Sequence, residues 1–405
     1  MGNSGKISVP IKKEWIFCQE KEFFCARRPK RLVIGIPNEA AKGENRICLT
    51  PESVRVFVDM GHEIILQRGA GNGAHYADSE YSDCGARIVE TQEEVYAADI
   101  VLKVTSVSLH ETGYMHEHQV ILSSMKMFDL KKEAVMAMMQ KKVTALGFDI
   151  IKDRDGFYPV VRIMSEIAGN AAIMIAGEYL SNSRGGKGII LGGISGITPT
   201  EVMILGAGTL GEYAARAAMG LGATVKIFDA SVNRLRQVRE RLGERVFTSV
   251  FHEPVVSRAL KTADVLIGAV RCLEPDNMMM IQEEQVKLLK QGAVIVDLSV
   301  DQGGCIETSA LATREKSVYT HEGVIHYCVP NVLSRVVRTA SLAYSNVFLP
   351  LLQEAARQGG FARALKADAG LRNGVYIYNG ILTKNVLADR FGLISRNIDL
   401  LLAAL

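Results

Sequence analysis

The sequence predicts an α/β fold of two domains, each built on a parallel β-sheet, with a cleft between them. Three observations carry this expectation. Residues 201–230, EVMILGAGTLGEYAARAAMGLGATVKIFDA, read as strand, turn, helix and strand: apolar runs at 202–205 and 225–228 enclose a Gly-x-Gly-x-x-Gly turn and an alanine-rich helix. Upstream, apolar runs recur at 63–67, 99–104, 119–124 and 142–148 with helical or loop spacers. Such continuous runs suit strands buried on both faces, as in parallel sheets covered by helices. Between these regions, residues 164–196 join a helix of small and medium side chains to a glycine-rich stretch, which suits an ordered hinge.

Taken in order, residues 1–30 form an N-terminal extension that holds the single tryptophan, Trp15, among charged residues. A docking arm and a poorly ordered tail are both compatible with it. At Arg31 the character changes. RLVIGIP is a short strand, NEAAKGENRICL a loop, and Thr50 with Pro51 marks a helix start. A first domain is expected over residues 31–160 and a second over 161–334, where TADVLIGAV and GAVIVDLSV add core strands. Asp301, Gln302 and Asn331 follow such strands, and ligands gather at the carboxyl ends of parallel sheets. Past Ser334 the chain turns helical, and residues 335–405 are expected to return and complete the first domain.

At 405 residues the chain is long enough for two full cores. Its 47 basic and 44 acidic side chains leave a formal charge of +3 without a basic block, and 6 % aromatic content offers no stacking platform, which argues against nucleic acid as a partner. Seven scattered cysteines lack a Cys-x-x-Cys pair, which suits reduced thiols and excludes a zinc motif. His116 and His118 sit in a polar loop without further ligands, so no metal is expected. Neither a signal peptide nor a membrane-spanning run is recognised, and a cytoplasmic location is the expectation.

The glycine turn carries the chemistry. Gly206 permits the tight turn, Gly208 lets backbone approach a pyrophosphate, and Gly211 allows close helix–strand packing, while the helix N-terminus offers N–H groups to phosphates. Asp229 ends the second strand about 20 residues after the first glycine, where an acid accepts hydrogen bonds from ribose hydroxyls. That favours NAD; Arg234 and Arg236 stand close enough to meet a 2′-phosphate instead.

Several segments in the same order, among them IPNEAAKGENRICLTPE, HEIILQRGAGNGAHYADSEY, MSEIAG, GAGTLG, IVDLSVDQGGCIETS and YCVPNV, resemble alanine dehydrogenase and the homologous NAD(H)-binding component of proton-translocating transhydrogenase. The VDQGGCIETS segment is similar to the dehydrogenase. The resemblance implies two Rossmann-like domains, NAD in the second, a small 2-amino or 2-oxo acid in the cleft, and a homo-oligomer, hexameric or dimeric. It implies that Arg46 binds the substrate carboxylate, a task suited to a planar guanidinium; pairing with Glu39 or Glu44 is the alternative. It further implies that Ser165 contacts cofactor phosphates, Asp229 the ribose and Asn331 the nicotinamide end, with Asp301 as the cleft aspartate.

Two positions depart from the pattern. The family's second lysine of Lys-Val-Lys, which hydrogen-bonds the substrate carbonyl, is Thr105 here, and the ungapped match places Met127 at its acid/base histidine, between Lys126 and Phe128. Methionine transfers no protons. Asp301, Lys103 at a strand end facing cleft or solvent, Lys126, and His116 or His118 are the candidate substitutes, with Thr105 left to orient the reacting carbonyl. The expected activity is an NAD-dependent L-alanine dehydrogenase. A dehydrogenase of altered substrate, such as an imine reducer, or a catalytically weak NAD(H)-binding protein are the other readings.

Overall fold

The computed structural model describes residues 31–403 except 127–128, 244–245, 271–279, 301–303 and 314–315. The N-terminal extension, Met127 and Asp301 therefore lie outside the described residues.

Strands β1 (Val33–Ile36), β2 (Glu63–Gln67), β3 (Arg87–Val89), β4 (Ile100–Leu102), β5 (Val120–Ser123) and β6 (Thr144–Gly147) belong to one sheet. Strands β7 (Glu201–Leu205), β8 (Thr224–Phe228), β9 (Phe247–Ser249), β10 (Val265–Gly268), β11 (Val294–Asp297), β12 (Val318–His321) and β13 (Val324–Tyr327) form a second. The chain then returns to the first sheet with β14 (Val375–Tyr378) and β15 (Ile381–Leu382). The order β15-β14-β6-β5-β4-β1-β2-β3 matches β12-β13-β11-β10-β7-β8-β9 in its central part. In both, the opening strand (β1 or β7) lies between the second and fourth of its set, the 3-2-1-4-5-6 order of a doubly wound sheet. All pairings within these central strands are parallel; β14, β15 and β12 run antiparallel at the edges.

Burial explains the continuous apolar runs. On β2, Ile64 and Leu66 enter one core while Ile65 enters the core on the opposite face of the same sheet. On β7, Val202 and Ile204 face one layer and Met203 and Leu205 the other. Both faces are covered by helices, so neither set of alternate positions can be polar.

Four helices position the site. Helix α1 (Pro51–Asp59) starts where Thr50 and Pro51 mark it, but the Thr50 hydroxyl lies 3.3 Å from Ser345 Oγ instead of capping its own helix. Helix α2 (Pro159–Leu180) bridges the two halves: Val160 and Met164 pack in the first core, Ala168 to Leu180 in the second. A β-carbon on Gly169 would lie 2.5 Å from Leu210 O, so α2 and helix α3 (Thr209–Gly220) meet backbone to backbone. Helix α4 (Val337–Arg357) lays Tyr344 and Phe348 into the first core. Contrary to the absence of a spanning run expected from sequence, α2 is long and apolar enough to cross a membrane by length and composition; half of its most apolar window is buried inside the protein.

The short strands β3, β9, β12, β13, β14 and β15 are not anticipated by the apolar runs. Each has two to four residues, too few for a periodic signal to stand out.

Candidate active site

The opening strand of each sheet leads into the loop that matters, because at the point where strand order reverses the following loops diverge and leave a crevice. After β1 come Glu39, Glu44 and Arg46; after β7 comes the glycine turn. A cleft of about 310 Å³ runs between them, lined by Glu44, Arg46, Thr105, Ser106, Ser124, Lys126, Asp149 and Tyr344 from one side and by Ser165, Leu210, Leu298 and Asn331 toward the other.

Arg46 is buried rather than superficial, with its side chain 11 % exposed. Its Nε donates to Glu44 Oε1 at 2.8 Å, one terminal nitrogen to Glu44 Oε2 at 2.6 Å, and the other to the Tyr344 hydroxyl at 3.1 Å. A guanidinium has five N–H groups, so two remain after these bonds. Burial works against its charge, but the Tyr344 hydroxyl and Glu44 outweigh that and hold it protonated. Burial likewise pushes the Glu44 carboxyl up, yet the hydrogen bonds and charge of Arg46 more than reverse this, and its pKa ends below the usual range. Asn331, in a left-handed conformation at φ 56°, donates from Nδ2 to Glu44 Oε2 at 3.2 Å, tying the second half to the Arg46 loop.

The strand end after β4 differs from expectation. Lys103 faces neither cleft nor solvent: its side chain is fully buried, with Nζ 3.1 Å from Glu39 Oε1 and 3.3 Å from Glu111 Oε1. Its N–H groups go to Thr105 O at 2.8 Å, Thr105 Oγ1 at 2.8 Å and Ser106 O at 3.2 Å. Two carboxylates within reach compensate the buried ammonium, which stays inside for that reason. Glu39 accepts from the backbone N–H of Val104 at 2.6 Å and of Thr105 at 2.9 Å, and from the Thr105 hydroxyl. A hydroxyl has one proton. That of Thr105 is committed to Glu39 while its oxygen accepts from Lys103, so Thr105 lines the cleft without a proton to donate to a substrate carbonyl. Its neighbour Ser106 is different: Ser106 Oγ is buried and has no hydrogen-bond partner among the described residues.

On the nucleotide wall, Gly206 adopts φ 107° and a β-carbon there would lie 2.6 Å from Ala269 O; one on Gly211 would lie 1.9 Å from Gly206 O. A β-carbon on Gly208 would meet nothing within 4 Å. Gly206 and Gly211 are thus needed by the fold, whereas Gly208 exposes backbone to open space at the N-terminus of α3. Asp229 is buried; Oδ2 accepts from Ala207 N at 2.8 Å and Oδ1 from Ser231 N at 2.8 Å, which leaves lone pairs on both oxygens. Arg234 is mostly exposed, 4.0 Å from Asp229. Ser165 lines the cleft from α2 while donating its proton to Val161 O at 2.7 Å.

His116 and His118 precede β5, at the opposite end of the sheet from the cleft; His116 Nε2 lies 3.1 Å from Ala98 O. They do not line the cleft. Lys126 does, one strand over from Thr105, at the exit of β5, which pairs with β4. Its lining position and the Glu39–Lys103 pair escape sequence reasoning, whereas the pairing of Arg46 with Glu44 is the alternative the sequence offered, found here buried instead of at the surface. The acids stand in the same loop as Arg46, so the composition of that loop was the available signal. Elsewhere, Glu283, His321 and Glu322 bring ligand-type atoms within 4.8 Å of one another without lining the cleft.

Two family models match: the alanine dehydrogenase/PNT N-terminal domain over residues 35–168 and its C-terminal domain over residues 172–385. Alanine dehydrogenase of Staphylococcus saprophyticus is 34 % identical over 369 residues, covering 91 % of this chain and 99 % of the relative. That of Methanococcus maripaludis is 35 % identical, covering 88 % and 96 %. A solved L-alanine dehydrogenase superposes with a TM-score of 0.82 at 33 % identity, covering 89 % and 99 %. A transhydrogenase from Sinorhizobium meliloti shares the fold with a TM-score of 0.74 at 22 % identity, covering 87 % and 99 %. With both family models matched in order across the two sheets and relatives this similar over nearly their full length, the chain belongs to the alanine dehydrogenase/PNT family.

Proposed function

We propose that this chain is an NAD-dependent L-alanine dehydrogenase, interconverting L-alanine with pyruvate and ammonia. The observation that carries the reading is a cleft in which a buried, clamped guanidinium with N–H groups to spare faces the wall that bears the glycine turn. An anion clamp has no use in a protein that binds only a nucleotide, which favours the enzyme over a scaffold. The division into a substrate domain of 31–160 with 335–405 and a nucleotide domain of 161–334 belongs to the proposal; the membership of the two sheets supports it.

The residues present fit the dinucleotide: Gly208 offers bare backbone to a pyrophosphate, Asp229 retains acceptor capacity for ribose hydroxyls, and Ser165 and Asn331 border the cleft between. Gly206 and Gly211 hold the turn, and Arg234 stands at its outer edge. When bound, NAD supplies a hydride acceptor for C2 of the amino acid. Arg46 holds the substrate carboxylate with its remaining donors, and Ser106 replaces Thr105 as the hydroxyl able to donate to the oxygen at C2. Asp301 remains a proposed cleft base.

Self-association is part of the same reading. Exposed Met174, Ile190 and Leu221 line a groove of about 410 Å³ on the far side of α2, apolar surface that a second copy would cover, and light scattering in solution tests it. The free thiols at Cys48, Cys84, Cys305 and Cys328 suit a reducing, cytoplasmic setting.

NADH oxidation with pyruvate and ammonia is the deciding assay. The parent is expected to turn over, and Arg46→Ala to raise the KM for pyruvate by 10²-fold or so while NADH still binds, because a charged bidentate contact is lost. A parent that binds NADH and reduces no 2-oxo acid would refute the dehydrogenase.

A further inference from the structure

We propose that Asn331 is a positioning residue for the substrate carboxylate: from the nucleotide half of the molecule it holds Glu44, and through Glu44 it sets the aim of the Arg46 guanidinium. This rests on the reading above in which Arg46 receives that carboxylate. It departs from the resemblance, which implies a contact of Asn331 with the nicotinamide end.

The donors around Glu44 show what Asn331 adds. An ionised carboxylate offers about four acceptor sites, two on each oxygen. Glu44 Oε1 accepts from the Arg46 backbone N–H at 2.9 Å and from Arg46 Nε at 2.8 Å. Oε2 accepts from Arg46 Nη2 at 2.6 Å and from Asn331 Nδ2 at 3.2 Å. The bonds from Arg46 join two side chains of the same loop, so they fix the pair internally and leave its direction in the cleft open. Two contacts refer the pair to the rest of the protein. From the first half, Tyr344 on α4 accepts from Arg46 Nη1 at 3.1 Å, with the guanidinium carbon 5.4 Å from its ring centre. From the second half, Asn331 reaches the Glu44 carboxylate. Burial opposes the charge on Glu44, and the bonds and charge of Arg46 together with the Asn331 bond reverse this, so Asn331 faces an ionised acceptor.

Asn331 is itself firmly seated. Val329 and Val332 beside it are buried in the second core, and its carbonyl accepts from Ser334 N at 3.0 Å and Ser334 Oγ at 2.7 Å. Its backbone, at φ 56° and ψ 57°, occupies the left-handed region that asparagine enters more readily than most side chains. Glu44, Arg46 and Asn331 line the same cleft. The first half thus supplies the guanidinium and the second half aims it, so the hold on a small carboxylate depends on the wall that carries the nucleotide site.

The test measures pyruvate binding to the enzyme–NADH complex by calorimetry with ammonia omitted, so that no amination is needed, beside steady-state turnover with ammonia present. NADH fluorescence reports cofactor affinity and certifies folding. Glycine adopts this φ without strain, so Asn331→Gly removes the amide alone. It is expected to weaken pyruvate and raise its KM about tenfold, with kcat within about three-fold and NADH affinity within about two-fold of the parent. Asn331→Asp keeps the shape but turns a like charge toward Glu44, and should weaken pyruvate at least as much. In a Glu44→Ala background the bond is already absent, and Asn331→Gly should cost less than about two-fold further. Parental pyruvate affinity in the Gly or Asp variant, a loss confined to NADH, or an undiminished loss in the Glu44→Ala background would overturn the assignment. A parent that binds pyruvate without turning it over refutes the dehydrogenase alone, and the same affinities still decide the role of Asn331. A parent complex that binds no pyruvate overturns the assignment itself.

Discussion

At the scale of single residues, the site turns on how many protons each side chain has left to give. Thr105 stands where the resemblance puts a lysine that hydrogen-bonds the substrate carbonyl, and the sequence leaves its hydroxyl to orient that carbonyl. Only the arrangement of Glu39 and Lys103 around it shows that its hydrogen-bonding capacity is internal. The expected result for Thr105→Val is accordingly a structural loss: destabilisation by about 1–3 kcal/mol, because Glu39 and Lys103 each lose a buried partner, with the KM for pyruvate within about three-fold of the parent. Urea unfolding beside steady-state kinetics reads both. A large rise in KM at unchanged stability would return Thr105 to the substrate. Lys103 teaches the same lesson in reverse, since a lysine following an apolar strand reads as a snorkelling residue, and two carboxylates distant in sequence, Glu39 and Glu111, keep it inside.

Among elements, the strand-turn-helix of β7 and α3 is the part most completely legible in sequence. Its three glycines do different work, and their separation is measurable. Gly211→Ala would push a β-carbon into Gly206 O, and so is expected to lower stability by about 1–3 kcal/mol as well as NADH affinity. Gly208→Ala meets nothing in the folded chain and should leave the unfolding midpoint unchanged. It should weaken NADH at least about tenfold, because the added methyl occupies the space into which a pyrophosphate must come. Calorimetry and NADH fluorescence titration check the pair; equal stability losses in the two variants would contradict the assignment. Helix α2 was also readable as a close-packing element from its small residues, and Gly169 against α3 gives the reason. The edge strands were not, because two- to four-residue segments acquire strand character from their partners rather than from their own pattern.

For the molecule as a whole, the Glu44–Arg46 pair joined by Asn331 is where the two halves meet at the site. The Glu44 pKa is lower in the folded chain than the roughly 4.3 of an unfolded glutamate. Its contribution to stability is thus present above about pH 4.3 and is lost as pH falls through the lower folded value. Glu44→Gln should therefore flatten the fall in unfolding midpoint between about pH 3 and 5, and at pH 7 should cost about 3 kcal/mol by leaving a buried guanidinium uncompensated. Thermal unfolding over that pH range measures it, and an unchanged slope would show that Glu44 is not linked. By itself, the sequence determined the two-sheet class and the glycine turn with Asp229 at the end of the next strand, because each is written in local spacing that backbone geometry must obey; the substrate role proposed for Arg46 came from the family resemblance. Which cations face the cleft was decided by the tertiary structure alone. Lys103 and Lys126 are both lysines at strand exits; Glu39 and Glu111 enclose the first, whereas the second lines the cleft, a difference set by chain segments brought together only on folding.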